Sequence, residues 1–537
     1  MMNSKNKTTI RNKIFSAETY KKALTEDSST YIAIGRPLEW EEEDQKIPEV
    51  IETTNSINQI YRNTVACKKI IAADMIFVTP RVDWISNTVY SQYDQDKELY
   101  SYLSKTELSG TVSISTDDSL IIGEETTFTE NFSNGDFILV RGDLVTTQDV
   151  VREIVSISNN TILTVNNSFS VSSTNLQYSK ISTSYPKYSE NFYVRNSSDQ
   201  VFKCLYNSNE AESTIMPEIN IGGQLPENSY IETADGYKWK YLYTIPAGLK
   251  EKFFTQVWMP VISNDTVVQS SASGKLEVFT IVDGGDGYIS GGNSESANIL
   301  SVIGDGTEAS ITARVVDGEI VSVNILNTGK DYTKATIAIN DPSKNLGSNN
   351  ATITVSIPPQ NGHGSDPVYE LGATTLMICC ELVSDENNTF PTETPTQNFD
   401  YRQISIIKDP LTSNGEIATS STYKLVHIVN ITSPPSGSEY TLDETVYQGP
   451  SLAQASFSGT VCYWDGENNQ LWLNDVNGTF RPLEPLIGVI QNSPVTAFSV
   501  IEPDLKLYTG ELLYIDNRRK IFRDNDQTEQ VKIALSF

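Results

Sequence analysis

From about Ser109 onward the sequence runs in short stretches of Thr, Ser, Val and Ile, broken every few residues by Asn, Asp or Gly. β-Branched side chains suit a pleated, half-buried surface, and Asn, Asp and Gly supply the turns between strands. That texture predicts antiparallel β-structure for most of the chain. Helical spacing is confined mainly to the first seventy residues. There Ile10, Ile14, Phe15, Tyr20 and Leu24 form a loose amphipathic stripe. In IPEVIETTNSINQIYRNTVACKKI, Val50, Ile51, Thr54, Ile57, Tyr61 and Val65 recur at helical intervals behind Pro48, a favoured first-turn residue. The expected fold is mainly β with a small α contribution near the N-terminus, in several domains of antiparallel sandwiches and small β-barrels. A chain of 537 residues exceeds a single core and suggests roughly three or four domains.

Texture changes set the expected boundaries. YSQYDQ and NFYVRNSSDQVFKCLYN resemble each other in Tyr and Phe content more than the Thr/Ser-rich block between them. Residues 108–183 therefore form an inserted module of five or six short strands, within a host domain made of 1–107 and 184–270. Residues 271–358 carry an internal duplication. TIVDGGDGY (280–288) matches NILNTGKDY (324–332), and ASITARV (309–315) matches ATITVSI (351–357). Repeats of this size are expected to stack as a sandwich or short solenoid, with Gly opening each turn and Tyr closing it. A C-terminal β domain, 359–439 and 491–537, is interrupted by an inserted small barrel at 440–490.

Composition excludes several functions. The formal net charge is −29 with a pI near 4.5, and no Lys/Arg cluster offsets it, so the chain repels phosphate backbones and no nucleic-acid partner is expected. Cys67, Cys204, Cys379, Cys380 and Cys462 are odd in number, scattered and free of any CxxC spacing, which argues against a disulfide framework and a zinc knuckle. With only His363 and His427 in the chain, a structural zinc site is not expected. No apolar run approaches the roughly 18 to 20 residues that span a bilayer. MMNSKNKTTIRNKIF is basic but has no apolar region behind it, so it does not read as a signal peptide. The expectation is a soluble chain made in a cytoplasm, without membrane insertion.

Motifs with possible chemistry are few. NGHGSDP (361–367) places His363, Ser365 and Asp366 side by side, but a catalytic triad converges from distant positions, so a Gly-rich turn is the better reading. Among 68 acidic residues some carboxylate pair always exists, so glycosidase chemistry cannot be argued from their presence. The acidic run Glu39 to Asp44 is a solvated loop, and RGD at 141–143 a chance tripeptide. VDGGDGY resembles a calcium loop only in its Asp/Gly content and lacks the regular oxygen ligands. Walker, dinucleotide, HExxH and G-x-S-x-G motifs are all missing. No catalytic, cofactor-binding or metal residues are expected, and no enzyme.

DGYKWKYLYTIP (Asp235 to Pro246) poses a separate question. As a strand it puts Tyr237, Trp239, Tyr241 and Tyr243 on one face. Such a row is either a stacking platform for bases or sugars, or the packed face of a sheet. The acidity of the chain disfavours bases.

Several segments, in order, resemble a known family: YIAIGRPLEW, FVTPRVDW (77–84), NTVYSQYD (87–94), NFYVRNSSDQVFKCLYN, DGYKWKYLYTIP, QVWMPV (256–261), GHGSDPVYELG (362–372), FDYRQISIIKDP (399–410) and GELLYIDNRRKIFRDNDQTEQVKIALSF. Together they resemble the gene-eight baseplate wedge proteins of T4-like contractile phage tails, over perhaps half of the chain. The resemblance implies a mainly β, non-enzymatic structural subunit of the virion tail baseplate, assembled in the host bacterial cytoplasm. It implies pairing as a homodimer and contact with other wedge proteins, the equivalents of the gene-six, gene-seven and gene-ten products. Such a subunit relays baseplate rearrangement to sheath contraction. The aromatic face is then expected to pack against Tyr193 and Trp84. The inserted modules depart from the family pattern, and the alternative they raise is a receptor-binding tail protein with a glycan site in one of them.

Overall fold

The structure is a computed structural model describing residues 4–537, apart from 42–46, 51–52, 96–104, 135, 141–149, 167, 170, 182–190, 221–229, 289–296, 342–348, 385, 387–388, 394–397 and 435–439. Strands make up 46% and helices 11%, so the chain is multidomain β with its long helix, Ser4–Thr25, near the N-terminus. Two compact units divide it: Met1–Ala17, Ile76–Leu376 and Leu535–Phe537 in the first, Glu18–Met75 and Met377–Ala534 in the second.

The second unit is built on a five-stranded antiparallel sheet, in the order Thr422–Lys424, Thr64–Lys69, Thr30–Gly35, Asp400–Lys408, Glu511–Phe522. TYIAIG is buried at every position, as a central strand covered on both faces must be. Against it packs Thr54–Asn63, a shorter helix than the spacing predicts. Thr53 caps its start by accepting from the Ser56 N–H, and Val65 already belongs to the next strand. The β-branched Thr64, paired across to Gly35, and Val65, which bulges before Ala66 pairs with Ile34, override the helical period there. In Ser4–Thr25 the stripe is also narrower: Ala17 and Leu24 are buried, while Phe15 is 69% exposed.

A closed six-stranded barrel completes the second unit, in the order His427–Ile431, Gln470–Gly478, Phe457–Asp465, Thr445–Gln448, Pro485–Gly488, Val495–Ile501. It is wider than the expected 440–490. The strand at 427–431 pairs with both 470–473 and 497–501, so a barrel without those flanks has two open edges.

In the first unit, Tyr193–Arg195, Gln200–Asn207, Tyr237–Thr244 and Ile231–Glu232 form a four-stranded sheet in that order. Among its described residues the inserted module has eight strands, rather than five or six, between Lys105 and Ile181. Its strand Phe137–Val140 is buried on both faces. Ile138 and Val140 enter the module's own core, whereas Phe137 and Leu139 pack with Phe192, Tyr193 and Tyr243 of the host.

The duplication holds at the level of single hydrogen bonds. Each copy supplies three strands: Phe279–Asp283, Leu300–Gly304 and Thr307–Val316, then Glu319–Lys330, Ala335–Ile339 and Thr352–Val355. Every ladder joins one copy to the other, and Thr280↔Thr354 is matched by Asn324↔Thr312. Gly284 O accepts from Ile320 N–H as Thr328 O accepts from Leu276 N–H. The copies thus interleave about a pseudo-two-fold axis as three two-stranded sheets, packed side by side in a ring around Tyr288, Ile311, Val315, Tyr332 and Ile353, instead of stacking as a solenoid. In each copy an Asx side chain accepts from a glycine two residues on, Asp283 from Gly285 at 2.8 Å and Asn327 from Gly329 at 2.9 Å. Both glycines have positive φ, +61° and +66°, and a Cβ there would lie 2.5 Å from Ala351 N or 2.8 Å from Ala309 N. Gly285→Ala and Gly329→Ala should therefore each cost about 1 to 3 kcal/mol, read as equal falls in the unfolding midpoint. A difference beyond a factor of two would break the equivalence of the copies.

Candidate functional site

The strand Tyr237–Thr244 lies between Gln200–Asn207 and Ile231–Glu232. Tyr237 and Trp239 stack at 5.4 Å, Tyr90 meets Trp239 edge-on at 5.5 Å, and Trp84 packs against the same cluster. Val201 pairs with Tyr243 and Phe202 with Tyr241, so Leu242 is a bulge without an opposite residue. Past the bulge the alternation resets. Leu242 and Tyr243 both enter the core around Tyr193, where Tyr243 Oη donates to Pro260 O at 3.1 Å. The single four-aromatic face is thus corrected: three rings pack with Trp84, and the fourth packs with Tyr193. Tyr237, Trp239 and Tyr243 have no accessible surface, which leaves no platform for a base or a sugar.

Between these aromatics the same two strands bury charge. Lys203 and Lys240 are cross-strand partners, 1% and 3% exposed. An ammonium group in such a place needs carboxylates, and Glu370 and Glu277 are buried beside them. Lys203 Nζ donates to Glu370 Oε2 at 2.8 Å, and Glu370 Oε1 accepts from the Gly364 N–H. His363 is buried too, its Nδ1 3.4 Å from Lys203 Nζ and 3.6 Å from Glu370 Oε2. Its ring stands edge-on to Tyr93 at 4.7 Å, and Lys203 Nζ lies 4.2 Å from the centre of that Tyr93 ring. Burial raises the Glu370 carboxyl, but the Lys203 charge and the His363 contact outweigh it and hold the group at about 2. Burial, then the Lys203 charge, pushes His363 down to about 4. Burial lowers Lys240 and raises Glu277, each opposed by the other's charge.

The residues adjacent to His363 in sequence have separate tasks. Ser365 Oγ donates to Gly362 O at 2.8 Å, and Asp366 Oδ1 caps the short helix Pro367–Glu370 by accepting from Tyr369 N–H at 3.0 Å. Neither meets His363 as a triad would. Its partners, Lys203 and Glu370, went unnoticed in the sequence because a strand lysine 160 residues away gives no local signal. All five cysteines are buried, and burial pushes the thiols of Cys67, Cys204, Cys380 and Cys462 up, Cys380 to about 12. RGD at 141–143 and part of the acidic run from Glu39 lie outside the described residues. Among the described residues no three His, Cys, Asp or Glu side chains are grouped to hold a metal, and no helix is long and apolar enough to cross a membrane.

A second set of charges lies nearer the surface of the same unit. Asp83 bridges Arg81 and Arg195, and Asp199 bridges Arg195 and Lys250. Both guanidinium groups lie over the Phe254 ring, at 4.6 and 4.8 Å. Segments 191–207 and 235–246 supply strands of the four-stranded sheet, and 77–84, 256–261 and 362–372, far away in sequence, meet them in its two cores and ion pairs. No protein-family model matches the chain, and no curated protein matches it either.

Proposed function

We propose that this chain is a structural subunit of a contractile phage tail baseplate wedge. It scaffolds neighbouring wedge proteins and relays baseplate rearrangement to sheath contraction. The observation that carries the reading is where the family-like segments lie. Those between Phe77 and Gly372 build the first unit's sheet, cores and ion pairs. Those at Tyr31–Gly35, Phe399–Pro410 and Gly510–Phe522 supply adjacent strands of the second unit's five-stranded sheet. A scaffold transmits load through rigid bodies, and fully buried aromatics and satisfied ion pairs provide that rigidity. The subunit carries out no catalysis in this reading. It resides in the virion tail baseplate after assembly in the host bacterial cytoplasm.

Its partners are a second copy of itself and the equivalents of the gene-six, gene-seven and gene-ten products. With a net charge of −29 the chain repels its own copies, so a homodimer needs a weakly charged patch. The repeated strands 309–315 and 351–357 each lie in a two-stranded sheet, so each keeps an edge of the kind the sequence suggests, and on that of 309–315 Ala313 exchanges two hydrogen bonds with Ala297. The C-terminal strand Thr528–Ser536 also ends its sheet, with no strand beyond it among the described residues. Light scattering at micromolar concentration should give twice the 59.5 kDa chain mass, little changed by salt. Co-expression with the neighbouring wedge proteins should yield a co-purifying complex. A monomer that captures none of them would sink the proposal.

A further inference from the structure

The six-stranded ring leaves and rejoins the first unit through two chain segments, 271–277 and 357–364, that run side by side. Ser271 Oγ donates to His363 O at 2.8 Å, and a Cβ on Gly362 would sit 2.5 Å from Ala272 O. Tyr93 Oη donates to Ile357 O at 3.1 Å. This neck is where the buried charges gather. Lys203 and Lys240 come from the sheet, Lys275 and Glu277 from the entering segment, His363 from the returning one, and Glu370 from the helix after it. Among the described residues Tyr93 and Tyr230 also face the cluster.

A lysine ammonium has donors only, so the Lys203 Nζ–His363 Nδ1 contact at 3.4 Å is a hydrogen bond only while Nδ1 is an unprotonated acceptor; a proton there would face that ammonium as well as Glu370 Oε2 at 3.6 Å. Protonating Nδ1 turns that hydrogen bond into two like charges at the same distance, in a site water does not reach. We propose that His363 makes this neck an acid-opened latch, which holds the duplicated ring against the four-stranded sheet while the imidazole is neutral and releases it once the imidazole is protonated. Neutral, the core of the latch balances two ammonium groups against two carboxylates. Each proton taken up by His363 or Glu277 leaves it one positive charge out of balance, and Lys275 adds to the excess. The ring keeps its own apolar core, so release leaves it folded. The latch is independent of the baseplate reading.

Hydrogen exchange on the full chain tests this, with rates corrected for the intrinsic effect of pH. Gly364 N–H, held by the Glu370 carboxylate, and Ile357 N–H, held by Gln95 Oε1, are the reporters, and the amides of Trp239 and Tyr241 are the control. Between pH 7 and pH 4 the reporters should lose protection at least tenfold while the control amides keep theirs. His363→Gln cannot take up the proton and should remove most of that loss. Glu370→Gln should open the neck already at pH 7. Reporter and control amides exposed together, or reporters protected throughout this range, would overturn the latch. So would a wild-type opening that His363→Gln leaves unchanged.

Discussion

Arg523→Met should destabilise the second unit by about 3 to 5 kcal/mol, the cost of breaking a buried ion pair from one side. The Arg523 guanidinium is 1% exposed, and each of its nitrogens is engaged. Nη1 donates to Glu529 Oε2 at 3.0 Å, Nε to Pro391 O at 3.2 Å, and Nη2 to Val383 O and Ser384 O at 3.2 and 2.7 Å. Methionine fills the volume but leaves three carbonyls without their arginine donor and the Glu529 carboxylate without a counter-charge, held by Tyr401 Oη and Gln527 Nε2 alone. Lysine keeps the charge without the planar fork, so Arg523→Lys should fall between wild type and Arg523→Met. The pH dependence is a second check. Burial already raises Glu529, opposed chiefly by Arg523. Without the arginine the folded-state value rises further. A group raised on folding contributes stability that is present below its unfolded value and lost as pH rises through the folded one. The deficit of Arg523→Met should therefore be smaller at pH 5 than at pH 7 in urea denaturation. A loss under about 1 kcal/mol, or one that is flat with pH, would mean the pair is not under load.

Arg523 also shows where sequence reasoning ends. It sits in RRKIFRDND, beside three other basic residues within the same strand and turn, and nothing local separates the one that is buried. Arg518, five residues earlier, is about half exposed and pairs with Asp516 on the surface. Lys203 and Glu370 are unreadable for the same reason, since burial of a charge is decided by partners that only the fold brings together. What was legible was periodic. The β-branched texture gave the fold class, and the Asp-x-Gly and Asn-x-Gly turns gave the duplication to the residue. The interleaving of the copies was not legible, because identical repeats are compatible with stacking or exchange until the ladders are known. Nor was the bulge at Leu242. A bulge adds one residue to one strand, and the sequence of a single strand cannot show that its partner is one residue short.

That bulge makes Trp239 the hinge between the two readings of the aromatic strand, and Trp239→Ala should cost about 3 to 5 kcal/mol. Its indole has no accessible surface, lies flat on Tyr237, and takes the edge of Tyr90. Truncation leaves a void lined by those two rings and by Phe202 and Val267 of the same cluster, whose backbones are pinned in the ladder or a capped helix turn and cannot close it. Trp239→Phe separates packing from hydrogen bonding. The indole Nε1 is buried without an acceptor, so phenylalanine gives up ring area but also removes an unsatisfied donor. Its cost should stay below about 1.5 kcal/mol, well under the usual penalty for losing a bonded indole. Tyr237→Phe should behave in the opposite way, because Tyr237 Oη donates to Ala211 O and accepts from Tyr90 N–H, and both groups lose their partner when the hydroxyl goes. If thermal denaturation ranks Trp239→Phe as worse than Tyr237→Phe, the cluster is held by the area of its largest ring. If the order is as argued, it is held by polar links threaded through an apolar core, and the strand's aromatic row exists to lock the sheet to the Tyr90 segment that crosses it.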